Sequence, residues 1–436
     1  MLKTLKNAWA IVELRKKILF TLFIILIYRL GNAVPVPYVD ADLLADYFTS
    51  VNNTILGLWN TMSGGSFSMA TIFALSIQPY INASIIIQLL TIAIPALERL
   101  SKEGGEEGRK KLASITRYTT VGIGLVMGFG YYTLISNGIN GQSMITESGV
   151  WPAIVIIMTF MAGSALIMWM GEQINQKGVG NGISIILFAG IVARLPVTVG
   201  QVWSYFSAAM QSPESYSQYF IFAPLFVILF LAVIWVIVFM NDSERRIPVQ
   251  YAKKVVGRKV YGGQSTFLPI KVTMSGVMPV IFASAILSIP STIRMFITNP
   301  SGFWEGFFNA FSTSGWLYSV LYLLLIIMFA YFYMTIQYNP IEMANNLRAN
   351  NGTIPGIRPG RPTAEFISKI LSKVTLIGAI FLAVVAILPI IYGNLTGMHG
   401  LTMGGTSVII MVGVALETVK QIESQMMMRH YKGFLD

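Results

Sequence analysis

Inside a membrane, bond-making chemistry falls to carboxylates, histidines and cysteines, and this chain holds almost none of them there. It has no cysteine and two histidines, which excludes disulfide and thiol chemistry and leaves little for a metal site. Asp40, Asp42, Asp46, Asp242 and Asp436 all lie outside the middle of any apolar run, as does every glutamate. No buried aspartate pair or Ser-His dyad can be assembled, which disfavours an intramembrane hydrolase. The mid-membrane charge expected of an ion-coupled transporter is also missing, although one would cost only about 2.5 to 3.5 kcal/mol on insertion scales. What remains is non-covalent: aliphatic, small and amide side chains at helical spacing around one broken segment.

That segment is residues 63–95, SGGSFSMATIFALSIQPYINASIIIQLLTIAIP. Gly64-Gly65 opens it, a short apolar piece with Ser and Met follows, Gln78-Pro79 interrupts, and an isoleucine-rich helix runs to Pro95. Backbone freed by a break inside a bilayer must be satisfied by protein or by water in a cavity, so the segment points inward and locates a pathway. Beyond the break, Ile81 and Ile85 share one helix face, while Ser84, Gln88 and Thr91 line the next. A similar pair, Ile183 and Leu187, follows the turn KGVGNG, and Ile281 stands beside Ser284 and Ser288 after Met278-Pro279. By spacing alone these are ordinary helix packing more often than a functional ring, and the polar stripes are ordinary interhelical bonding. Gly178, Gly180 and Gly182 join two apolar helices and follow no strand, so they read as a turn rather than a nucleotide loop.

The elements that must position these residues are membrane spans. Hydrophobic residues make up 54% of the chain and charged ones 11%, and apolar runs of about 20 residues, the length a bilayer requires, recur throughout. Ten spans are predicted, at 18–33, 69–94, 115–135, 151–171, 183–203, 220–240, 272–289, 316–337, 374–391 and 406–419. The first 17 residues place Leu2, Leu5, Trp9 and Val12 at helical spacing beside Lys3 and Lys6. With no cleavage signal after a short apolar core, they read as a retained interfacial helix.

Of the thirty Lys and Arg, all except Arg29, Arg194 and Arg294 fall at the termini or beside the 2/3, 4/5, 6/7 and 8/9 loops. That asymmetry predicts both termini on the cytoplasmic side. The net charge of +11 then sits on one face, where it sets orientation and is available to an acidic partner. Two halves, 1–206 and 218–436, meet at the polar external stretch 207–217. With five spans each they have opposite topology, and inverted repeats place a pathway at their interface. The predicted fold is an all-α integral membrane protein, ten transmembrane helices in two inverted five-helix halves around a central pore.

Six blocks, in order along nearly the whole chain, match a known family: GGSFSMATIFALSIQPYINASIIIQLL, GEQINQKGVGNGISIILFAGIVA, RRIPVQYAKKVVGRKVYGGQSTFLPIKV, GVMPVIFASAIL, IPGIRPGRPTAEFI and GGTSVIIMVGVALE. The chain thereby resembles the SecY/Sec61-alpha family of protein translocase channels. The resemblance implies an apolar collar of six side chains from spans two, five, seven and ten, here Ile81, Ile85, Ile183, Leu187, Ile281 and Ile410. Such a collar has no fixed charge to bind ions, fits loosely around an extended chain, and blocks a dewetted pore when empty. It also implies a plug, a short helix on the outer side at about 60–73, with Gly64, Gly65, Ser66, Phe67, Met69, Ile72 and Phe73. A lateral gate is implied between spans two and seven, with Ser84, Gln88 and Thr91 facing Ser284 and Ser288.

On the basic face the resemblance implies docking of a ribosome, through ribosomal RNA phosphates, or of the ATPase SecA. By charge alone the 6/7 loop at about 241–271 offers Arg245, Arg246, Lys253, Lys254, Arg258 and Lys259, which equally read as a topology signal; the 8/9 loop at about 338–373 exposes Arg358 and Arg361, and the resemblance gives Arg358 a part in coupling to the partner. Family members work as heterotrimers with SecE and SecG in the plasma membrane. They pass unfolded secretory polypeptides outward and release signal sequences and transmembrane segments into lipid. The chain carries no nucleotide-binding motif, so the work comes from outside and no cofactor is expected. A small-solute secondary transporter or an insertase without a through-pore would also suit broken helices.

Overall fold

The computed structural model describes residues 7–50, 55–138, 143–212, 216–251, 254–256, 259–261, 265–274, 276–294, 297, 302–311, 316–398 and 404–432. Its elements in the first half are α1 (Val12–Gly31), α2 (Ala41–Ser50), α3 (Ile55–Met62), α4 (Gln78–Ala93), α5 (Pro95–Lys102), α6 (Gly105–Asn137), α7 (Val150–Lys177) and α8 (Gly182–Gln211). The second half continues with α9 (Tyr219–Asp242), β1 (Glu244–Tyr251), β2 (Lys254–Val256), β3 (Lys259–Tyr261), β4 (Ser265–Lys271) and α10 (Met278–Arg294). It ends with α11 (Phe303–Ala310), α12 (Trp316–Gln337), α13 (Pro340–Ala349), β5 (Gly352–Thr353), α14 (Arg361–Thr396) and α15 (Gly405–Lys432).

Ten of these helices, α1, α4, α6 to α10, α12, α14 and α15, stand at the ten predicted spans. Among the described residues, seven helices are long and apolar enough to cross a membrane, and α4 with α5 makes an eighth as a bent pair. Their inner faces share one apolar core that includes Ile24, Ile85, Phe160, Ile186, Phe282, Phe329 and Ile410. Prolines stand inside α8, α9, α10 and α14, where neighbouring helices can re-satisfy the freed carbonyls.

Three expectations are corrected. The charged residues Arg15, Lys16 and Lys17 belong to α1, which follows a bend at Ile11 instead of continuing one interfacial helix to residue 17; residues 1–6 lie outside the described residues. Span two is shorter than its apolar run, because 63–77 is a chain of turns and helix begins only at Gln78. Span seven starts at Met278, since Val272 still belongs to the sheet region through a bond from its N–H to the Ser243 carbonyl, 3.0 Å.

Proline chemistry sets both ends of α4. Pro79 occupies its first turn, where the missing N–H costs nothing. Pro95 pushes Ile94 into an extended conformation (φ −109°, ψ 112°), and the chain bends by 106° into α5. The KGVGNG segment is a turn as expected. Asn181 caps α8 by accepting from the Ile183 and Ser184 N–H groups at 3.2 and 3.4 Å, and Asn175 accepts from Gly182 N–H at 2.8 Å.

The basic segments between spans are not bare loops. β1 pairs antiparallel with β4 in the register Arg246↔Pro269, and with β5 in the register Gln250↔Thr353. The 6/7 and 8/9 segments thereby share one three-stranded sheet, and β2 pairs with β3 in a second, two-stranded one. Ile247, Val249 and Ile270 turn inward from the larger sheet onto Ile354, Ile367 and Leu371. The joint expected at 207–217 is helical through Gln211, so its first part extends α8.

Candidate functional site

The six residues expected to form a collar all belong to the common core. Ile81, Ile85, Leu187, Ile281 and Ile410 are buried in the common core, and Ile183 packs against it half-buried. Ile410 is fully buried, and Tyr322 on α12 fixes its helix by a 2.8 Å bond to Thr406 one turn earlier. A cavity of about 360 Å³ is lined in part by four of the six, Ile81, Ile183, Leu187 and Ile281. Its walls also carry Ser84, Gln88, Thr91 and Thr116 on one side and Phe282 and Tyr333 on the other. At the start of α8 the cavity takes Asn181, Ile183, Ser184 and Leu187, and the 63–65 turn packs at Gly190 and Arg194 just beyond. The cavity and the 63–65 turn thus contact successive stretches of α8.

The segment expected to form a plug helix, at about 60–73, is helical only at its start, to Met62, and then folds as compact turns. Gly64 (φ +74°) and Gly65 (φ +94°) adopt backbone that a side chain would strain. The serines then hydrogen-bond within the segment. Ser63 Oγ donates to the Asn60 carbonyl at 3.0 Å and accepts from Phe67 N–H at 3.1 Å. Ser66 Oγ donates to the Ser63 carbonyl at 3.0 Å, and Ser68 Oγ to the Gly65 carbonyl at 2.9 Å. Side-chain bonds from the spans to the plug are fewer. Tyr28 and Asn32 both donate to the Ser63 carbonyl, at 3.2 and 3.4 Å, and Tyr131 donates to the Phe67 carbonyl.

Phe67 is the apolar anchor, with 1% of its surface exposed. It stacks on Tyr131 at 4.4 Å and meets Phe48 and Trp59 edge-on at 5.2 and 5.9 Å. Phe73 stacks on Tyr28 at 5.9 Å. Ile72 is half-buried, while Met69 is 55% exposed. Glycines on the spans let the plug backbone approach: a Cβ on Gly163 would meet the Ile72 carbonyl, and one on Gly190 the Met62 carbonyl. Tyr28, Asn32, Tyr131, Gly163 and Gly190 were not singled out in the sequence. The only visible signal was a polar or small residue within a span, which many helices share.

The five gate candidates divide. Ser84, Gln88 and Thr91 line the cavity, with the Thr91 hydroxyl bonded to the Gln88 carbonyl at 2.7 Å. Ser284 and Ser288 are buried, and their hydroxyls turn back to the Ile281 and Ala285 carbonyls at 2.8 and 2.5 Å. On α10 the cavity wall is made instead by Met278, Ile281 and Phe282.

Among the basic candidates, Arg245 and Arg246 lie on β1 and are exposed, with Arg246 Nε 2.7 Å from Glu244. Lys254 and Lys259 lie on β2 and β3. Lys253 and Arg258 fall outside the described residues. Arg358 is exposed just after the sheet, and its carbonyl accepts from the Thr363 hydroxyl at 2.9 Å. Arg361, at the start of α14, makes a solvent-exposed pair with Glu365 at 3.1 Å.

Residues 71–419 match the SecY family model. The protein translocase subunit SecY of Bacillus subtilis is 44% identical over 438 residues, covering all of both chains. That of Thermus thermophilus is 43% identical over 441 residues, covering all of this chain and 98% of the relative. Among solved structures, one described as a protein conducting channel is similar with a TM-score of 0.65 at 18% identity, over 94% of this chain and 92% of that one. Sec61 in the canine ribosome-channel complex is similar with a TM-score of 0.61 at 17% identity, over 94% and 92%. Matched by the family model over most of its length and by full-length relatives above 40% identity, the chain belongs to the SecY family.

Proposed function

We propose that this chain is the central channel subunit of a Sec translocase: a passive, protein-conducting pore that takes unfolded secretory polypeptides across the plasma membrane. The observation that carries this reading is a cavity lined by uncharged side chains, Ile81, Ile183, Leu187 and Ile281 among them, near a turn-built segment whose serine hydroxyls bond within it; we read these as collar and plug. An aliphatic ring grips no ion and tolerates any side-chain sequence, as a general conduit must. The full-length relatives named protein translocase subunit SecY support the same function.

In this reading the cavity between α4 and α10 is the lateral exit through which signal sequences and transmembrane segments reach lipid. Ser84, Gln88 and Thr91 form its polar wall, facing Met278 and Phe282. The termini and the shared sheet lie in the cytoplasm. The exposed arginines Arg245, Arg246, Arg358 and Arg361, with Lys253, Lys254, Arg258 and Lys259, receive the ribosome or SecA, and likeness to a ribosome-bound channel supports that partnership. SecE and SecG complete the heterotrimer. The two five-helix halves open about the 207–217 joint. The chain makes and breaks no bonds; the driving work is its partners'.

Because the chain contains no cysteine, single cysteines can be placed at Ile81, Ile183 and Ile410 without background. A stalled secretory chain carrying a thiol probe should crosslink to all three. Crosslinks at Gln88 with none at the collar would indicate an insertase, and none at any position would indicate a solute transporter.

A further inference from the structure

Two guanidinium groups on the plug side of the collar have no carboxylate partner among the described residues. Arg29, near the end of α1, donates to the Ala189 carbonyl and lies 5.7 Å from the Tyr28 ring. Arg194, on α8, keeps its Nε buried without a hydrogen-bond partner. Both press on the plug turn: a Cβ on Gly64 would stand 3.0 Å from Arg29 Nη1, and one on Gly65 would stand 3.2 Å from Arg194 Nη1. The Gly-Gly pair admits the two cations to that spot. Ion pairs elsewhere, such as Arg117–Glu172 and Lys420–Asp242, give their cations a partner at 2.7 Å. Arg29 and Arg194 also stand against the charge asymmetry of the chain, so orientation does not account for them. Ionisable groups kept within spans despite their cost mark pathways for charged species.

The geometry points to a carboxylate-receiving site just past the collar. Arg29 and Arg194 border the space that the 63–65 turn fills, and when the turn withdraws they face whatever occupies it. This rests on the reading of the chain as a polypeptide conduit. Acidic side chains of a passing chain are drawn across the collar by the two charges, and lysines meet a barrier there. Small anions share the chemistry and would feel the same field.

The test uses the complete translocase in vesicles with the membrane potential collapsed, because a potential would itself sort charges. Three secretory chains differ only in one ten-residue block, rich in Asp, Lys or Asn, and each rate is normalised to the Asn chain in the same channel. The unmodified channel should pass the Asp block about fivefold faster than the Lys block, the effect of one close ion pair in water. The ratio should fall toward one in R29Q/R194Q and persist in R29K/R194K, which keeps the charge while changing the head-group geometry. An unchanged ratio in the Gln pair, or its loss in the Lys pair, overturns the proposal. A reversal potential under a potassium chloride gradient, with the plug held out, separates the two anion sources. Loss of chloride preference in the Gln pair with an unchanged peptide ratio assigns the site to small ions and overturns the peptide reading. Failure of the Asn chain to cross the unmodified channel instead sinks the conduit itself.

Discussion

Replacing Phe67 by alanine should unseat the plug while leaving the rest of the fold in place. The ring is almost wholly enclosed by Phe48, Trp59 and Tyr131 at 4.4 to 5.9 Å. A buried Phe-to-Ala change costs about 3 to 5 kcal/mol. When the plug withdraws, that contact is already gone, so the cost falls on the plugged state. At about 1.4 kcal/mol per tenfold, 3 kcal/mol raises the open population by about 100-fold. The assay is single-channel conductance of the reconstituted heterotrimer in a planar bilayer without substrate. Tyr131→Phe provides the internal scale, since it keeps the stacked ring and removes only the hydroxyl bond to the Phe67 carbonyl. One such bond is worth about 0.5 to 1.5 kcal/mol, so the rise there should be about fivefold. An F67A heterotrimer that assembles normally and conducts no more than the unmodified channel would refute the anchoring role, as would Y131F leaking more than F67A.

Three further outcomes follow from the same geometry. Gly163→Val places atoms against the Ile72 carbonyl, and should raise substrate-free conductance without dissociating the heterotrimer. Gln88→Leu exchanges a polar cavity wall for an apolar one; polar contacts in membranes are worth about 1 kcal/mol, so export of chains with a defective signal sequence should change several-fold, and unchanged stringency would remove Gln88 from the gate. Arg358→Glu reverses an exposed charge that supports no packing. Translocation should drop while membrane insertion of the channel stays normal, and full export activity would end its docking role.

The ten spans were legible because a helix in lipid must be apolar along its length, and Phe220 to Met240 stands out wherever the chain is broken into windows. Boundaries failed where apolar residues had another reason to be apolar. Residues 73–77 are buried as turns against other helices, and hydropathy cannot separate a buried turn from a buried helix. Val272 is apolar because it ends a sheet. The sheet was missed for a different reason: β5 is two residues long, and its pairing partner β1 lies about a hundred residues earlier. The expectation of a collar came only from the family resemblance, since Ile81 with Ile85 has the spacing of any packed helix face. That Ser284 and Ser288 do not line the cavity was not legible, because sequence periodicity marks a face but not a hydroxyl's rotation, and both hydroxyls serve their own helix.

The plug's serines bond inside their own segment, and this decides how the seal responds to temperature. Ser63, Ser66 and Ser68 carry their partners with them, so withdrawal breaks the bonds from Tyr28, Asn32 and Tyr131 and the two backbone bonds to Val34 and Val36, whose groups water can re-satisfy, and it wets the apolar faces of Phe67 and Phe73. Wetting apolar surface raises heat capacity, and the force opposing it weakens on cooling. A seal of this composition loosens in the cold, so an organism moved to low temperature would meet ion leakage through its resting translocases before any loss of their fold.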